Sequence, residues 1–498
     1  MQYIGTRGNY PQVTAAPAIK MGMVPSGGLF VPSVIPQIDQ AELEKMVGLS
    51  YQELAEKIIS LYLTDYSPEE IKACVQAAYG DNFDDAQVAP LHKLNNTTHI
   101  LELWHGPTAA FKDMALQILP QFLSRAISKV DGEKEVVILV ATSGDTGKAA
   151  LEGFKNVPGI KIIVFYPNGG VSKVQEFQMN TTEGDNTYVV AVEGNFDDCQ
   201  TAVKEIFADQ EYKVALAQAG FELSSANSIN WGRLLPQIVY YFSSYLYMVR
   251  DGQIQLGDKI NFVVPTGNFG NILAGYYAHR MGLPVHKFIC ASNENKVLAD
   301  FLATGTYDRN REFMQTNSPS MDILISSNLE RFLFELNGHN EQLISEWYQK
   351  LNQGGQFTID ADTKAAMEGI MLGGFTNQEE TLATIQQVFA ATGYTLDTHT
   401  AVAVKVYQDY VAKTGDNTKT VIDSTASPFK FNTSVLQAIK GCDFLQGKTE
   451  FEMLDDLSEI SGLPIHPGLR DLDKKPVRHG RKCDKTEIQQ QISNILGL

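Results

Sequence analysis

From residue 136 onward, short runs of continuous apolar residues alternate with longer stretches of helical period. Val136–Ala141, Lys161–Tyr166, Tyr188–Val192 and Ile260–Val264 read as buried strands, and Lys148–Lys155, Asp198–Phe207, Arg233–Met248 and a segment from Asn271 read as helices. Fully apolar strands separated by helices predict a mainly parallel sheet covered on both faces. Sheets of this kind bind ligands in the loops beyond the carboxyl ends of their strands. The first ninety residues are different, mostly helical after an irregular start. Ser50-Tyr-Gln-Glu53 and Ser67-Pro-Glu-Glu70 have the spacing of capping boxes, Pro68 takes a first helical position, and Gly80 stops the helix. Near the carboxyl end, Leu454–Ile460 and Glu487–Leu496 are predicted helices.

The most apolar long stretch, Leu234–Val249, is interrupted by Pro236, Gln237, Ser243 and Ser244 and flanked by Arg233 and Arg250, so it predicts a buried helix and no membrane span. A length of 498 residues predicts two or three α/β domains. The net charge of -18 argues against a nucleic-acid surface, which needs clustered Lys and Arg, but leaves room for a locally basic pocket. The start lacks the charged and apolar regions of a secretion signal, and the five cysteines are odd in number and scattered, which together predict a cytoplasmic protein with reduced thiols. The nine histidines never stand at i, i+4 and never cluster with cysteine, so no metal site is expected.

Three short segments carry candidate chemistry. Lys112 lies in His105-Gly-Pro-Thr-Ala-Ala-Phe-Lys-Asp113, and it shares with Asp113 the only formal charge between Leu103 and Leu123. Desolvation among apolar neighbours lowers the pKa of an amine, as imine chemistry requires; the plainer reading is a lysine that snorkels to water. Thr142-Ser-Gly-Asp-Thr-Gly147 joins a strand to a helix, where free amides and the side chains of Ser143, Asp145 and Thr146 offer an anion seat, or simply a capped turn. Pro265-Thr-Gly-Asn-Phe-Gly-Asn271 does the same, with Gly267 and Gly270 letting backbone amides approach a phosphate. Neither segment has the Walker spacing or the dinucleotide fingerprint, and the second fits a single phosphate better. A candidate imine lysine, an anion-binding turn and a separate phosphate cradle together suggest pyridoxal phosphate chemistry.

These segments resemble, in order, the cofactor-lysine motif, the substrate loop and the cofactor-phosphate loop of the longer class of threonine synthases. Tyr3-Ile-Gly-Thr-Arg-Gly8, Pro25-Ser-Gly-Gly-Leu-Phe-Val-Pro32, Ser228-Ile-Asn-Trp-Gly-Arg233, Ser318-Pro-Ser-Met-Asp322 and Ser424-Thr-Ala-Ser-Pro-Phe-Lys-Phe431 continue the likeness across residues 1 to 431. The resemblance implies pyridoxal-phosphate fold type II, the tryptophan-synthase β type, with interleaved domains: residues 1–90 mostly helical, 126–254 a smaller α/β substrate-side domain, and 91–125 with 255–498 a larger cofactor-binding α/β domain. It implies conversion of O-phospho-L-homoserine and water to L-threonine and phosphate, the last step of threonine biosynthesis.

Carried over by position, Lys112 would hold the cofactor as a Schiff base and later move protons at Cα and Cβ of the substrate. Phe111 would pack near the ring, Thr425 would meet the pyridine nitrogen, and Gly267, Asn268, Phe269, Gly270 and Asn271 would surround the cofactor phosphate or ring edge. Ser143, Gly144, Asp145 and Thr146 would hold the substrate carboxylate, with Asn230, Arg233 and Lys430 as candidates for its phosphate. Arg233 and Lys430 are also open to a plain reading as surface ion pairs. Two positions depart from the pattern: Asp145 stands where many relatives of the wider fold have Asn, which sets a carboxylate against the substrate's own, and Ser427 stands where family members often have His. Two other readings stay open, a threonine dehydratase or cysteine synthase on the same fold and a non-catalytic protein that senses the cofactor or an amino-acid phosphate. A serine hydrolase is disfavoured, since no Gly-x-Ser-x-Gly elbow occurs at a strand end.

Overall fold

The computed structural model describes residues 1–130 and 134–498, the side chain of Asp197 aside. Its larger sheet has six strands in the order Met371–Phe375, Val285–Ser292, Ile260–Pro265, Thr420–Ser424, Thr98–Glu102 and Leu91–Lys93. All neighbours are parallel except the last pair. The smaller sheet is wholly parallel and runs Arg481–Asp484, Thr187–Glu193, Ile160–Pro167, Glu135–Ala141, Phe221–Ser224. Strand Ile260–Pro265 is buried at every position, and so is the interior of Glu135–Ala141, as expected for strands covered on both faces. The predicted strands and helices are present, extended by one to three residues at most of their ends; the helix foreseen at Lys148–Lys155 is Asp145–Phe154.

The amino-terminal region is helical, and Ser50 and Ser67 close the two capping boxes that their spacing predicts. It opens with a two-stranded antiparallel pairing of Tyr3–Gly5 with Phe30–Pro32. The helix Trp231–Arg250 is buried from Trp231 through Met248 and packs against the helices Tyr51–Tyr62 and Gly270–Met281. It therefore joins the central core, although it lies within the range assigned to the smaller domain. The carboxyl terminus departs further from the expected boundaries. Arg481–Asp484 pairs with Thr187–Glu193, and Ile488 and Ile492 join the apolar cluster of the smaller sheet, so the range 255–498 does not belong whole to the larger domain. An apolar helix face next to an unpaired strand edge draws the chain end back across the molecule. The basic run Lys474–Lys482 is mostly exposed before it enters that strand. Among the described residues no helix is long and apolar enough to cross a membrane.

Candidate active site

Lys112 stands at the amino end of a short helix, Asp113–Leu116, and its place is fixed from both sides. Phe111 N–H donates to the Thr425 carbonyl at 2.9 Å, and Ala110 bridges to Ala426, so the loop is sewn to the carboxyl end of strand Thr420–Ser424. On the other side, Thr108 donates its N–H (2.8 Å) and hydroxyl (2.7 Å) to the buried Asp113 carboxylate. Gly106 is needed for this closure, since a Cβ there would stand 2.5 Å from Cβ of Asp113. Burial pushes the Asp113 carboxyl up to about 6 against the two Thr108 bonds.

The Lys112 side chain is 11% exposed, and its Nζ lies 3.6 Å from Asp145 Oδ2 and 5.1 Å from the centre of the Phe111 ring. Burial lowers the pKa of its amine; Asp145 opposes this, and Lys430 and Arg233 add to it. A lysine in this setting is a poised amine, and the snorkelling reading does not describe it.

Asp145 corrects one sequence expectation. Its carboxylate is fully used inside the chain: Lys430 Nζ is 2.8 Å from Oδ1, Gln175 Nε2 donates to Oδ1 at 2.9 Å, and Ser320 Oγ lies 3.5 Å from Oδ2. Burial alone would raise its pKa, but Lys430 and Lys112 hold it far below the ordinary carboxylate range. Asp145 therefore faces two lysines, which removes the repulsion foreseen against a substrate carboxylate and also removes it as a ligand for one. Lys430, fully buried, spends its charge on Asp145 and on the Thr108 carbonyl at 3.0 Å, so it is neither a surface ion pair nor a free phosphate ligand. Asn230 is likewise committed: it caps the helix Trp231–Arg250 by accepting from Gly232 N–H (2.9 Å) and donates to the carbonyls of Ile19 and Ser225. No donor of Asn230 remains for a phosphate.

Other expected groups stay open. Among the described residues, the hydroxyls of Ser143, Thr146 and Thr425 have no hydrogen-bond partner, and neither do the amides of Ser143, Asp145 and Thr146. The turn is held from below by Thr142 Oγ1, which accepts from Gly144 and Gly147 N–H. Gly144 has φ +137°, and a Cβ there would meet Gln175 at 2.4 Å. Arg233 is buried and has no carboxylate partner among the described residues; one guanidinium nitrogen donates to the Ala226 carbonyl at 2.9 Å and its Nε is unpartnered there. Burial lowers its pKa to about 10. A buried guanidinium with spare donors is a seat for an anion.

The segment Gly267–Asn271 forms the amino end of the helix Gly270–Met281, which has no side-chain cap. Phe269 takes the left-handed backbone conformation at φ +65° and turns its ring away onto Phe332, 5.3 Å between centroids. The Asn271 side chain accepts from Tyr240 (2.6 Å) and Tyr241 (2.7 Å) hydroxyls. What these residues offer a ligand is thus mainly their N–H groups, with the exposed Asn268 side chain beside them. The uncapped amides, the poised Lys112 amine and the free Thr425 hydroxyl fit pyridoxal phosphate.

Three contributors escaped the sequence reading. Gln175 and Ser320 touch Asp145, and His399 accepts from Ser320 N–H at 3.1 Å while its other nitrogen lies 3.0 Å from Asp397 Oδ1. Gln175 carried the signal of a Ser172-x-x-Gln175 capping box, which points to a helix start and not to a site, whereas the Asp397-Thr-His399 step at a helix start was a usable signal. Ser427 caps its own turn by accepting from Phe429 N–H.

The chain is similar to known proteins along nearly its whole length. Family models match three successive segments: "Threonine synthase N terminus" over residues 2–79, "Pyridoxal-phosphate dependent enzyme" over 85–375, and "Threonine synthase, C-terminal" over 400–478. The chain is 40% identical to the threonine synthase of Saccharomyces cerevisiae, over 99% of its own length and 98% of that protein. It is 41% identical to human threonine synthase-like 1 over 92% of its length, and spans 62% of that longer protein. The solved structure of pyridoxal-phosphate-bound threonine synthase from Brucella melitensis superposes with a TM-score of 0.88 at 36% identity, covering 100% of this chain and 98% of that one.

Proposed function

The chain belongs to the threonine synthase family of pyridoxal-phosphate-dependent enzymes, and from that premise we propose that it converts O-phospho-L-homoserine and water to L-threonine and phosphate. The observation that carries this reading is that a buried amine, Lys112, has around it an uncapped helix end and a buried arginine with no carboxylate partner among the described residues. That gives one anchor for a carbonyl cofactor and two separate anion seats. Threonine, the substrate of a threonine dehydratase, carries no phosphate and leaves the second seat without use.

Pyridoxal phosphate, when bound, withdraws electrons from the carbons of the attached amino acid. The chain supplies the rest. Gly267, Asn268, Phe269, Gly270 and Asn271 would hold the cofactor phosphate, and the Thr425 hydroxyl would meet the ring nitrogen. Unlike a carboxylate, a hydroxyl does not enforce protonation there, so the proton transfers lean more on Lys112. Its Nζ, with a pKa lowered by burial, moves protons at Cα and Cβ of the substrate one at a time, giving up the first before it takes the second. Arg233 grips the substrate phosphate that leaves from Cγ. Ser143 and Thr146, with the free amides beside Gly144, hold the substrate carboxylate. Asp145 keeps Lys112 and Lys430 in place and neutralises the excess positive charge. The protein acts in the cytoplasm on a small molecule, without nucleic acid or membrane.

The test is phosphate release by purified protein from O-phospho-L-homoserine. Threonine and phosphate in equal amounts are expected. Prompt 2-oxobutanoate from threonine, with no phosphate release from O-phosphohomoserine, would refute the assignment.

A further inference from the structure

The helix Leu329–Leu336 reads as apolar except for charges that an apolar helix does not need, and two of these, Glu330 and Arg331, are adjacent and buried. Arg331 is fully buried and makes no salt bridge among the described residues. Its guanidinium donates to three oxygens, two of them from distant parts of the chain: the Phe30 carbonyl at 2.9 Å, the Ile229 carbonyl at 2.5 Å and, one turn back on its own segment, Asn328 Oδ1 at 2.7 Å. Burying a guanidinium on uncharged acceptors is costly, and Met or Leu would fill such a site more cheaply. The geometry of its fork points to a reason for keeping it.

Arg331 fixes which way the Asn328 amide faces. With Oδ1 taken by Arg331, Nδ2 is turned to the Asn268 carbonyl at 3.1 Å, which also accepts Asn328 N–H at 3.1 Å. A planar trans peptide points its N–H opposite to its C=O. Drawing the Asn268 carbonyl toward Asn328 therefore aims the Phe269 N–H the other way. The Gly267 carbonyl is drawn similarly by Ser326 Oγ at 2.8 Å, which aims Asn268 N–H. A second thread runs beside the first, Ser228 Oγ to Ser327 Oγ and Ser327 Oγ to Asn268 Oδ1, each 3.2 Å. Glu330 completes the attachment by accepting from Thr6 (2.5 Å) and from Arg7 (2.9 and 2.7 Å). The two adjacent charges thus hold the strand Phe30–Pro32 and the turn that follows Tyr3–Gly5.

We propose that Arg331 is a positioning residue of the phosphate cradle: through Asn328 it aims the Phe269 amide of the segment Gly267–Asn271, and through Phe30 and Ile229 it makes that aim depend on the amino-terminal pairing and on the loop leading to Arg233. This rests on the reading of Gly267–Asn271 as the seat of the cofactor phosphate. It gives the segments Tyr3–Gly8 and Pro25–Pro32 a function, retention of the cofactor.

The test compares affinity of the full cofactor-free chain for pyridoxal phosphate and for pyridoxal, which lacks the phosphate, each by titration of protein fluorescence. Arg331→Lys and Arg331→Met are expected to lower the preference for pyridoxal phosphate about tenfold, the equivalent of ~1.4 kcal/mol, with pyridoxal affinity nearly unchanged. Asn328→Ala should do the same, and Arg331→Lys combined with Asn328→Ala should fall no further than either alone. Asn328→Ala also decides the matter if Arg331→Met does not fold. A general structural role would weaken both ligands equally, and that result, or an unchanged preference, overturns the proposal. Gly267→Ala, whose Cβ would stand 2.9 Å from the Ser320 carbonyl, separates this from the reading beneath it. If Gly267→Ala lowers the preference and the Arg331 and Asn328 variants do not, only the role of Arg331 fails. If none of them lowers it, the cradle reading fails as well.

Discussion

Replacing Asp145 with Asn keeps the shape of the side chain and removes one charge from between two lysines. At an effective dielectric of about 20, a unit pair at the 2.8 Å separation of Lys430 gains about 6 kcal/mol, and one at the 3.6 Å of Lys112 about 5 kcal/mol. Desolvation of the three groups offsets most of this, and removal of one partner from a buried pair costs about 3–5 kcal/mol. Lys112 softens the loss by giving up its proton, since burial already lowers its pKa. We expect Asp145→Asn to destabilise the cofactor-free protein by about 3 kcal/mol, toward the lower end of that range. Urea unfolding followed by tryptophan fluorescence near neutral pH measures it. Lys430→Met added to Asp145→Asn should recover part of the loss, because it removes the charge left unpaired. The Lys112 amine should also lose its proton at a lower pH in Asp145→Asn, read from the pH dependence of its acylation. The sign for the native protein follows: a carboxyl whose pKa is depressed on folding contributes stability above its unfolded value, and that part is lost as the pH falls below ~4. Equal unfolding midpoints for Asp145→Asn and the native chain, with Lys112 titrating unchanged, would refute this account of the pair.

Other outcomes follow from single contacts. Borohydride reduction should fix pyridoxal phosphate to the native chain and leave it removable from Lys112→Ala; covalent label in the variant would move the anchor elsewhere. Gly153→Ala should cost ~3 kcal/mol or more and depress turnover, because the new Cβ would stand 1.8 Å from the Leu116 carbonyl, on the short helix that Lys112 starts. Burial would lower the His105 pKa, but hydrogen bonds with Asp84 and Glu102 outweigh it and raise it to about 9. Its contribution to stability is then full below ~6.5 and lost as pH rises through about 9, so His105→Gln should flatten the stability profile across that window. A native profile already flat there would contradict the pairing.

The sequence by itself determined the repeating strand–helix pattern, the capping boxes at Ser50 and Ser67, the two strand-to-helix turns and the lysine to watch. These features are local: periodicity, cap chemistry and glycine placement act over a few residues and do not depend on where the rest of the chain lies. The tertiary structure decided what each polar side chain faces. Asp145 looked like a substrate ligand and turned out to be the counter-charge of two lysines, one of them 285 positions further on. Asn230 and Lys430 were spent on the protein itself, while Arg233 kept its donors. Arg331 gave no local motif at all, only two adjacent charges in an apolar helix, and two of its three partners lie in segments brought together by folding. The closing strand Arg481–Asp484 is the same case, since a parallel neighbour is chosen by an open sheet edge far away in sequence. Charges and edges act through space, and space is set only when the whole core has formed.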